Sequence, residues 1–187
     1  MITVYGLRDL GLPQDTVVSI GTFDGVHRGH QHLLTQLLDR ARATGRLSAV
    51  VTFFPHPRLV LQPAVPPACL GTQAERAAAI EQLGIDLLVI QPFTSAFAST
   101  PAKGFMRQLV TDVRMRELWV SEGFALGRGR GGDVDALTVL GETLGYRVRI
   151  VEPLLDGGAP ISSTRIRALV QSGEVGEAGR LLGRPYA

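Results

Sequence analysis

The sequence predicts an α/β fold: a Rossmann-like, doubly wound, mainly parallel five-stranded sheet with helices on both faces. Three observations lead there. Short β-rich runs alternate with segments of helical periodicity along the chain, the pattern of parallel strands joined by crossover helices. Two of the runs, Leu47–Phe54 and Asp86–Ile90, are almost continuously apolar, as strands covered on both faces are. Glycine or proline marks the ends of the periodic segments, at Gly21, Gly84, Pro101 and Gly145.

The elements follow in order. Thr16–Ile20 reads as the first strand and ends in Gly21. Gln31–Arg42 carries Leu33, Leu34, Leu37, Leu38 and Ala41 at helical spacing. Leu47–Phe54 is the second strand. Gln73–Leu83 reads as a helix stopped by Gly84, and Asp86–Ile90 as the third strand. Pro101 stands where a helix begins, and Ala102–Val110 is periodic. Glu117–Val120 is the fourth strand, Val134–Leu144 a helix closed by Gly145, and Arg147–Val151 the fifth strand. Ser162–Ser172 and Glu174–Leu182 read as two closing helices. In such folds ligands bind beyond the carboxyl ends of the strands, where strand order switches. The informative loops are therefore 21–29, 54–67, 92–100, 121–132 and 153–163.

A chain of 187 residues, 45% hydrophobic, is expected to form one domain over residues 1–187 with a sizeable core. The net charge is only +2, Lys103 is the sole lysine, and the arginines are spread along the chain. That distribution argues against a nucleic-acid surface. No apolar run is long enough to span a bilayer, and Met1–Leu10 lacks a signal-peptide core. One cysteine, Cys69, gives no internal disulfide framework. A cytoplasmic protein without membrane association is expected.

The decisive stretch follows the first strand: Gly21-Thr22-Phe23-Asp24-Gly25-Val26-His27-Arg28-Gly29-His30. Glycines at 21, 25 and 29 allow backbone to approach a bulky anion. A helix starting near Gly29 turns free N–H groups and a positive dipole end toward it. His27 and His30, three apart, face the same way and can donate to phosphate oxygens or to a leaving pyrophosphate. Zinc ligation is the competing reading, but no Cys, Asp or Glu cluster completes a site, so no metal ligands are expected in the protein. A purely structural role in holding the loop is another. The Walker A and dinucleotide-binding spacings are absent.

This string resembles the signature of the nucleotidyltransferase superfamily with a His-x-Gly-His motif. The resemblance implies an α/β fold that binds a nucleoside triphosphate with both histidines near the phosphates.

Further stretches narrow it: Val51–Pro57, Phe93–Phe105, Gly123–Asp133, Ile161-Ser162-Ser163-Thr164-Arg165-Ile166-Arg167 and the tail Gly173–Tyr186. In this order and spacing the chain is similar to the adenylyltransferase module of bacterial FAD synthetases. The resemblance implies an FMN adenylyltransferase that takes ATP and FMN and gives FAD and pyrophosphate. His27, His30, Ser163 and Arg167 would be catalytic. Gly21, Phe23, Asp24, Gly25, Gly29, Ser162 and Thr164 would bind ATP. Phe54, Pro55, His56, Pro57, Phe124 and Arg128 would bind flavin, and Mg²⁺ would accompany ATP. Ser162–Thr164 are also good helix caps without any ligand. Phe54, Phe93 and Phe97 read equally as core residues, and Arg128 and Arg130 as solvated. Arg165 points away and is a weaker candidate.

Two departures stand out. The family pattern has Asp or Asn where Gly123 stands, and a ring where Leu126 stands. A riboflavin kinase barrel, usual after this module, is absent from this chain, which reads either as a stand-alone adenylyltransferase or as a fragment; if only this module exists, FMN is made elsewhere, by a riboflavin kinase acting upstream. Two alternatives remain: a nucleotidyltransferase for another small phosphate acceptor, and a diverged flavin- or nucleotide-binding protein with weak catalysis.

Overall fold

The computed structural model describes residues 1–8 and 10–186. The elements run β1 Ile2–Tyr5, β2 Thr16–Ile20, α1 Arg28–Ala43, β3 Leu47–Phe54, α2 Pro57–Leu61, α3 Gln73–Gln82, β4 Leu87–Pro92, α4 Ser95–Ala98, α5 Ala102–Asp112, β5 Met115–Ser121, β6 Ala125–Leu126, β7 Gly132–Asp133, α6 Val134–Leu144, β8 Arg147–Val151, β9 Leu155–Asp156, β10 Ala159–Pro160, α7 Ser163–Gln171 and α8 Val175–Leu182. The central sheet has six strands in the order β1-β4-β3-β2-β5-β8, every pair parallel. Five strands were expected. The sixth, β1, is a four-residue edge strand with mostly exposed side chains, too short and too little buried to carry a strand pattern.

The two faces follow from strand alternation. Val18, Ala49, Val51, Leu87 and Val89 face a core closed by Phe105, Met106, Leu109 and Leu137 of α5 and α6. Val17, Val50, Leu88 and Ile90 face Leu33, Leu34, Leu37 and Ala41 of α1 and Ile80 of α3. A third, smaller core joins Ile166 of α7 and Ala178, Leu181 and Leu182 of α8 to Leu70 and Ile161. From β2 the chain steps outward through β3 to β4, whereas β5 and β8 lie on the other side of β2. The strand order therefore switches at β2, and the loops after β2 and β5 open a crevice there.

Packing is tight where α6 meets the turn into β8. A Cβ on Gly141 would lie 2.6 Å from the Tyr146 carbonyl oxygen, and the Tyr146 hydroxyl donates to the Leu137 carbonyl. Gly141→Ala gains about 1 kcal/mol of helix propensity and loses roughly 1–3 kcal/mol to overpacking. Its Tm is expected to fall by several degrees in calorimetry. Gly176→Ala, on α8 with open space around its Cβ position, is expected to raise Tm.

Candidate active site

The loop after β2 is held in an unusual backbone. Phe23 and Val26 take left-handed φ values of 45° and 40°. Gly25, at φ 76°, leaves room for Leu70 and Leu182, each about 3.0 Å from a Cβ placed there. Gly29 leaves room for the Ile161 carbonyl oxygen, 3.0 Å from its virtual Cβ. The space at Gly25 and Gly29 is thus taken by the third core, and Gly21 abuts the Phe23 ring. The smallness of these glycines lets α7 and α8 close onto the loop.

His27 is the N-cap of α1, its Nδ1 accepting from the backbone N–H of His30 at 3.3 Å. The two imidazoles stack, ring centroids 3.6 Å apart and 17° between planes. Phe23 meets His30 edge-on at 5.2 Å. Because His27 Nδ1 accepts, its neutral ring carries the proton on Nε2. His30 Nδ1 is buried without a hydrogen-bond partner among the described residues. The tautomer protonated on Nε2 leaves only an acceptor unmatched there, so both stacked rings present Nε2–H donors. Burial pushes the His27 pKa down to about 4, with Asp24 and a hydrogen bond to the backbone opposing and Arg167 assisting. His30 is held well below the usual imidazole value by burial, then by His27 and Arg76.

The pH dependence follows in sign. An unfolded histidine binds a proton near pH 6.5, and these folded ones refuse it until much lower pH. Stability therefore falls as pH drops from about 6.5 toward 4, and the His27 penalty is complete below its folded pKa. Between pH 7 and pH 5 His27 alone is expected to cost roughly 2 kcal/mol. Urea midpoints across this range should fall for the wild type, and fall less for His27→Gln. An equal slope in both would show that other groups govern it. The carboxylates Glu117 and Asp156, held low by their arginines, titrate below this window.

Asp24 sits under the same loop, 1% exposed. Its carboxylate accepts from the Leu70 N–H at 3.0 Å and from Arg167 Nη2 at 2.6 Å. Arg167 Nε donates to the Ala68 carbonyl, and Ser163 Oγ donates to the Asp24 carbonyl at 2.9 Å. Ser162 caps α7 by accepting from the Arg165 N–H, while Thr164 is exposed. The two stretches expected to bind phosphate are thus brought together, with the α1 and α7 N-termini beside one another. Arg165 binds Asp156 and helps hold the β9–β10 hairpin.

A cavity of about 610 Å³ opens beside this cluster at the switch point. Gly21, Thr22, Phe23 and His30 form one wall, Phe53, Phe93, Phe97 and Phe105 another, and Gly123–Gly127 with Arg130 a third. The phenylalanines pack edge-on or tilted, with centroids 5.3 to 6.4 Å apart. Of the residues expected around flavin, Pro57 and Phe124 line this cavity. Phe54 points outward, 49% exposed, and Pro55 lies half-buried beside it. Strand alternation puts Phe53, not its neighbour, on the wall. Arg128 is exposed, whereas Arg130 reaches the Gly123 carbonyl at 3.2 Å. His56 is buried as the N-cap of α2, and its electrostatic neighbours are Asp24, Arg167, Arg76 and Arg58. It belongs to the charged cluster and not to the cavity wall.

Sequence reasoning missed Arg76. It is 6% exposed and donates to the Thr22 carbonyl at 2.9 Å, Thr52 Oγ1 at 3.1 Å and the Phe53 carbonyl at 3.3 Å. The signal was an arginine on the apolar face of an amphipathic helix. Among the described residues, no group of three or more His, Cys, Asp or Glu is placed to hold a metal ion. Nor is any helix long and apolar enough to cross a membrane.

Comparison with known proteins adds to this geometry. The sequence profile of the FAD synthetase family matches residues 11–165. A bifunctional riboflavin kinase/FMN adenylyltransferase of Pseudomonas fluorescens is 36% identical over 188 residues, covering 100% of this chain and 60% of that protein. A FAD synthetase of Listeria monocytogenes is 34% identical, covering 91% of this chain and 69% of that protein. The crystal structure of a macrolide-efflux protein from Streptococcus pneumoniae is 31% identical with a TM-score of 0.88, covering 100% of this chain and 63% of that chain. The chain spans about 60% of the length of the Pseudomonas relative.

Proposed function

Since the chain belongs to the FAD synthetase family, we propose that it is an FMN adenylyltransferase, moving AMP from ATP to FMN. The observation that carries this reading is the adjacency of an aromatic-walled cavity and a cluster of two helix N-termini, stacked histidines and Arg167. The cavity suits a flat apolar ring system, and the cluster suits polyphosphate.

The mechanism is in-line displacement. An oxygen of the FMN phosphate forms a bond to the α-phosphorus of ATP, and the bond from that phosphorus to the bridging oxygen breaks, releasing pyrophosphate. No protein nucleophile is required. Catalysis is positioning and charge stabilisation. His27 and His30 donate from Nε2 to the α-phosphoryl and leaving-group oxygens. Ser163, Thr164 and Arg167 hold the β- and γ-phosphates together with the α7 N–H groups. Backbone groups of Gly21, Phe23, Gly25 and Gly29, with Ser162, complete the nucleotide site, and Asp24 orients Arg167. Mg²⁺ would accompany ATP as part of the substrate and offset the charge of its phosphates. The flavin lies against Phe53, Pro57 and Phe124, with Arg130 and Arg128 at the open side. FMN is supplied by a riboflavin kinase acting upstream, in the cytoplasm.

Purified protein with ATP, Mg²⁺ and FMN is expected to yield FAD and pyrophosphate in equal amounts by chromatography. Binding of both substrates without product would overturn the reading in favour of a binding protein. Failure to bind FMN would instead point to another phosphate acceptor.

Gly123 bears on efficiency. It lies on the cavity wall at φ 71° with open space around its Cβ position. Asparagine tolerates that backbone best among non-glycine residues. A polar side chain orienting substrate contributes about 1–3 kcal/mol, so Gly123→Asn is expected to raise kcat roughly tenfold or more. An unchanged kcat would assign that role to another group.

A further inference from the structure

We propose that Arg76 is a positioning residue of the transfer step, pinning the Thr22 carbonyl to the end of β3 and thereby holding the His30 ring. The proposal rests on the adenylyl-transfer reading above.

A buried guanidinium is ordinarily paired with a carboxylate. Among the described residues Arg76 forms no ion pair, and its Nη1 gathers three oxygens instead. Thr52 Oγ1 also donates to the Thr22 carbonyl, at 3.2 Å. The result is a knot between the loop after β2 and the last residues of β3, tied by a side chain from α3. α3 itself starts firmly, with Thr72 and Glu75 forming a reciprocal cap.

What the knot holds is the catalytic wall. Thr22 and Phe53 both line the cavity. Thr22 immediately precedes Phe23, whose left-handed backbone persists only where its surroundings impose it. The Phe23 ring in turn meets His30 edge-on, and His30 stacks on His27. From Arg76 to the stacked imidazoles each step is a bond or a ring contact. Loss of Arg76 leaves the Thr22 carbonyl held by Thr52 Oγ1 alone among these side chains and loosens Phe23, so His30 loses support from one side. Reacting groups misplaced by about 1 Å cost on the order of a hundredfold in rate.

The test compares wild type with Arg76→Met, Arg76→Lys and Thr52→Val. Lysine keeps three donors on one nitrogen, and valine, of nearly the same size as threonine, removes two bonds of the knot, the one Thr52 donates to Thr22 and the one it accepts from Arg76. Thermal unfolding, kcat, KM for ATP and FMN, and the imidazole NMR resonances are recorded for each. His30 is assigned by the resonances lost in His30→Ala. For Arg76→Met the expected result is kcat ten- to a hundredfold lower, both KM values within threefold, and displaced His30 resonances. The resonances of His32, bonded to Gln36, should stay in place. Arg76→Lys and Thr52→Val should fall between. A folded Arg76→Met with kcat within twofold of wild type and His30 unmoved overturns the proposal. A raised KM for ATP at unchanged kcat also overturns it, making Arg76 a substrate ligand. If Arg76→Met does not fold, Thr52→Val is judged by the same two readouts. If the wild type forms no FAD, the activity reading fails, and unshifted His30 resonances in the variants would still sink the positioning role.

Discussion

His30→Ala is expected to lower kcat by about 10²–10³ while ATP binding stays within a few-fold of wild type. The ring lines the cavity and stacks on His27 at 3.6 Å, at the junction of the apolar and charged halves of the site. With its pKa held far below neutrality by burial, it is a neutral donor at pH 7. A neutral donor adds little to ground-state binding of a polyphosphate already met by two helix N-termini and Arg167. It contributes most when charge builds on the bridging and α-phosphoryl oxygens as the bond breaks. The loss should therefore appear in kcat and not in KM. His27→Ala should behave likewise, and the double variant should lose less than the product of the singles, because stacked rings act as a unit. Single-turnover FAD formation checks all three. Near-full turnover in His30→Ala with ATP bound would remove His30 from the mechanism.

Much of the fold was legible because its signals are local. The apolar runs of β3 and β4, the leucine spacing of α1 and the glycine after α6 all sit where the sequence puts them. β1 was not legible, since its four residues bury almost nothing and form a strand only because β4 offers a free edge. In the site, the motif loop and the α7 start were both readable, but their meeting was not. That meeting depends on the third core and on the fit of Ile161 and Leu70 against Gly29 and Gly25. The choice between Phe53 and Phe54 was a question of strand parity, and Ala49 and Val51 on the α5 side already fixed it. For Arg76 only the place on the apolar face of α3 was legible. Its partners are two backbone carbonyls and a threonine, and backbone carbonyls leave no trace in a sequence. His56 lay in a stretch assigned to flavin by resemblance, yet its buried cap position carries it to the charged cluster.

Asp24→Ala is expected to destabilise the protein by about 3–5 kcal/mol, lowering Tm by roughly 6–20 °C for a chain of this size. The Asp24 side chain is 1% exposed and that of Arg167 17%, so water replaces the lost partner only in part. Alanine leaves the Leu70 N–H unmatched and Arg167 without its carboxylate, and it removes a negative charge that acts on Arg76. Asp24→Asn keeps an acceptor for Leu70 and should cost less. Arg167→Met strands the carboxylate instead, and should also destabilise. If the pair acts as a unit, Asp24→Asn combined with Arg167→Met should be more stable than the sum of the singles predicts, by an interaction energy on the order of 1–3 kcal/mol. Ligand then separates structure from chemistry. ATP raises Tm in proportion to the logarithm of its concentration over Kd. If Arg167 holds phosphate as well as Asp24, saturating ATP should shift the Tm of Arg167→Met distinctly less than that of wild type. Asp24→Asn, which retains the guanidinium, should keep most of the shift. Equal shifts in all three would confine Arg167 to holding the loop.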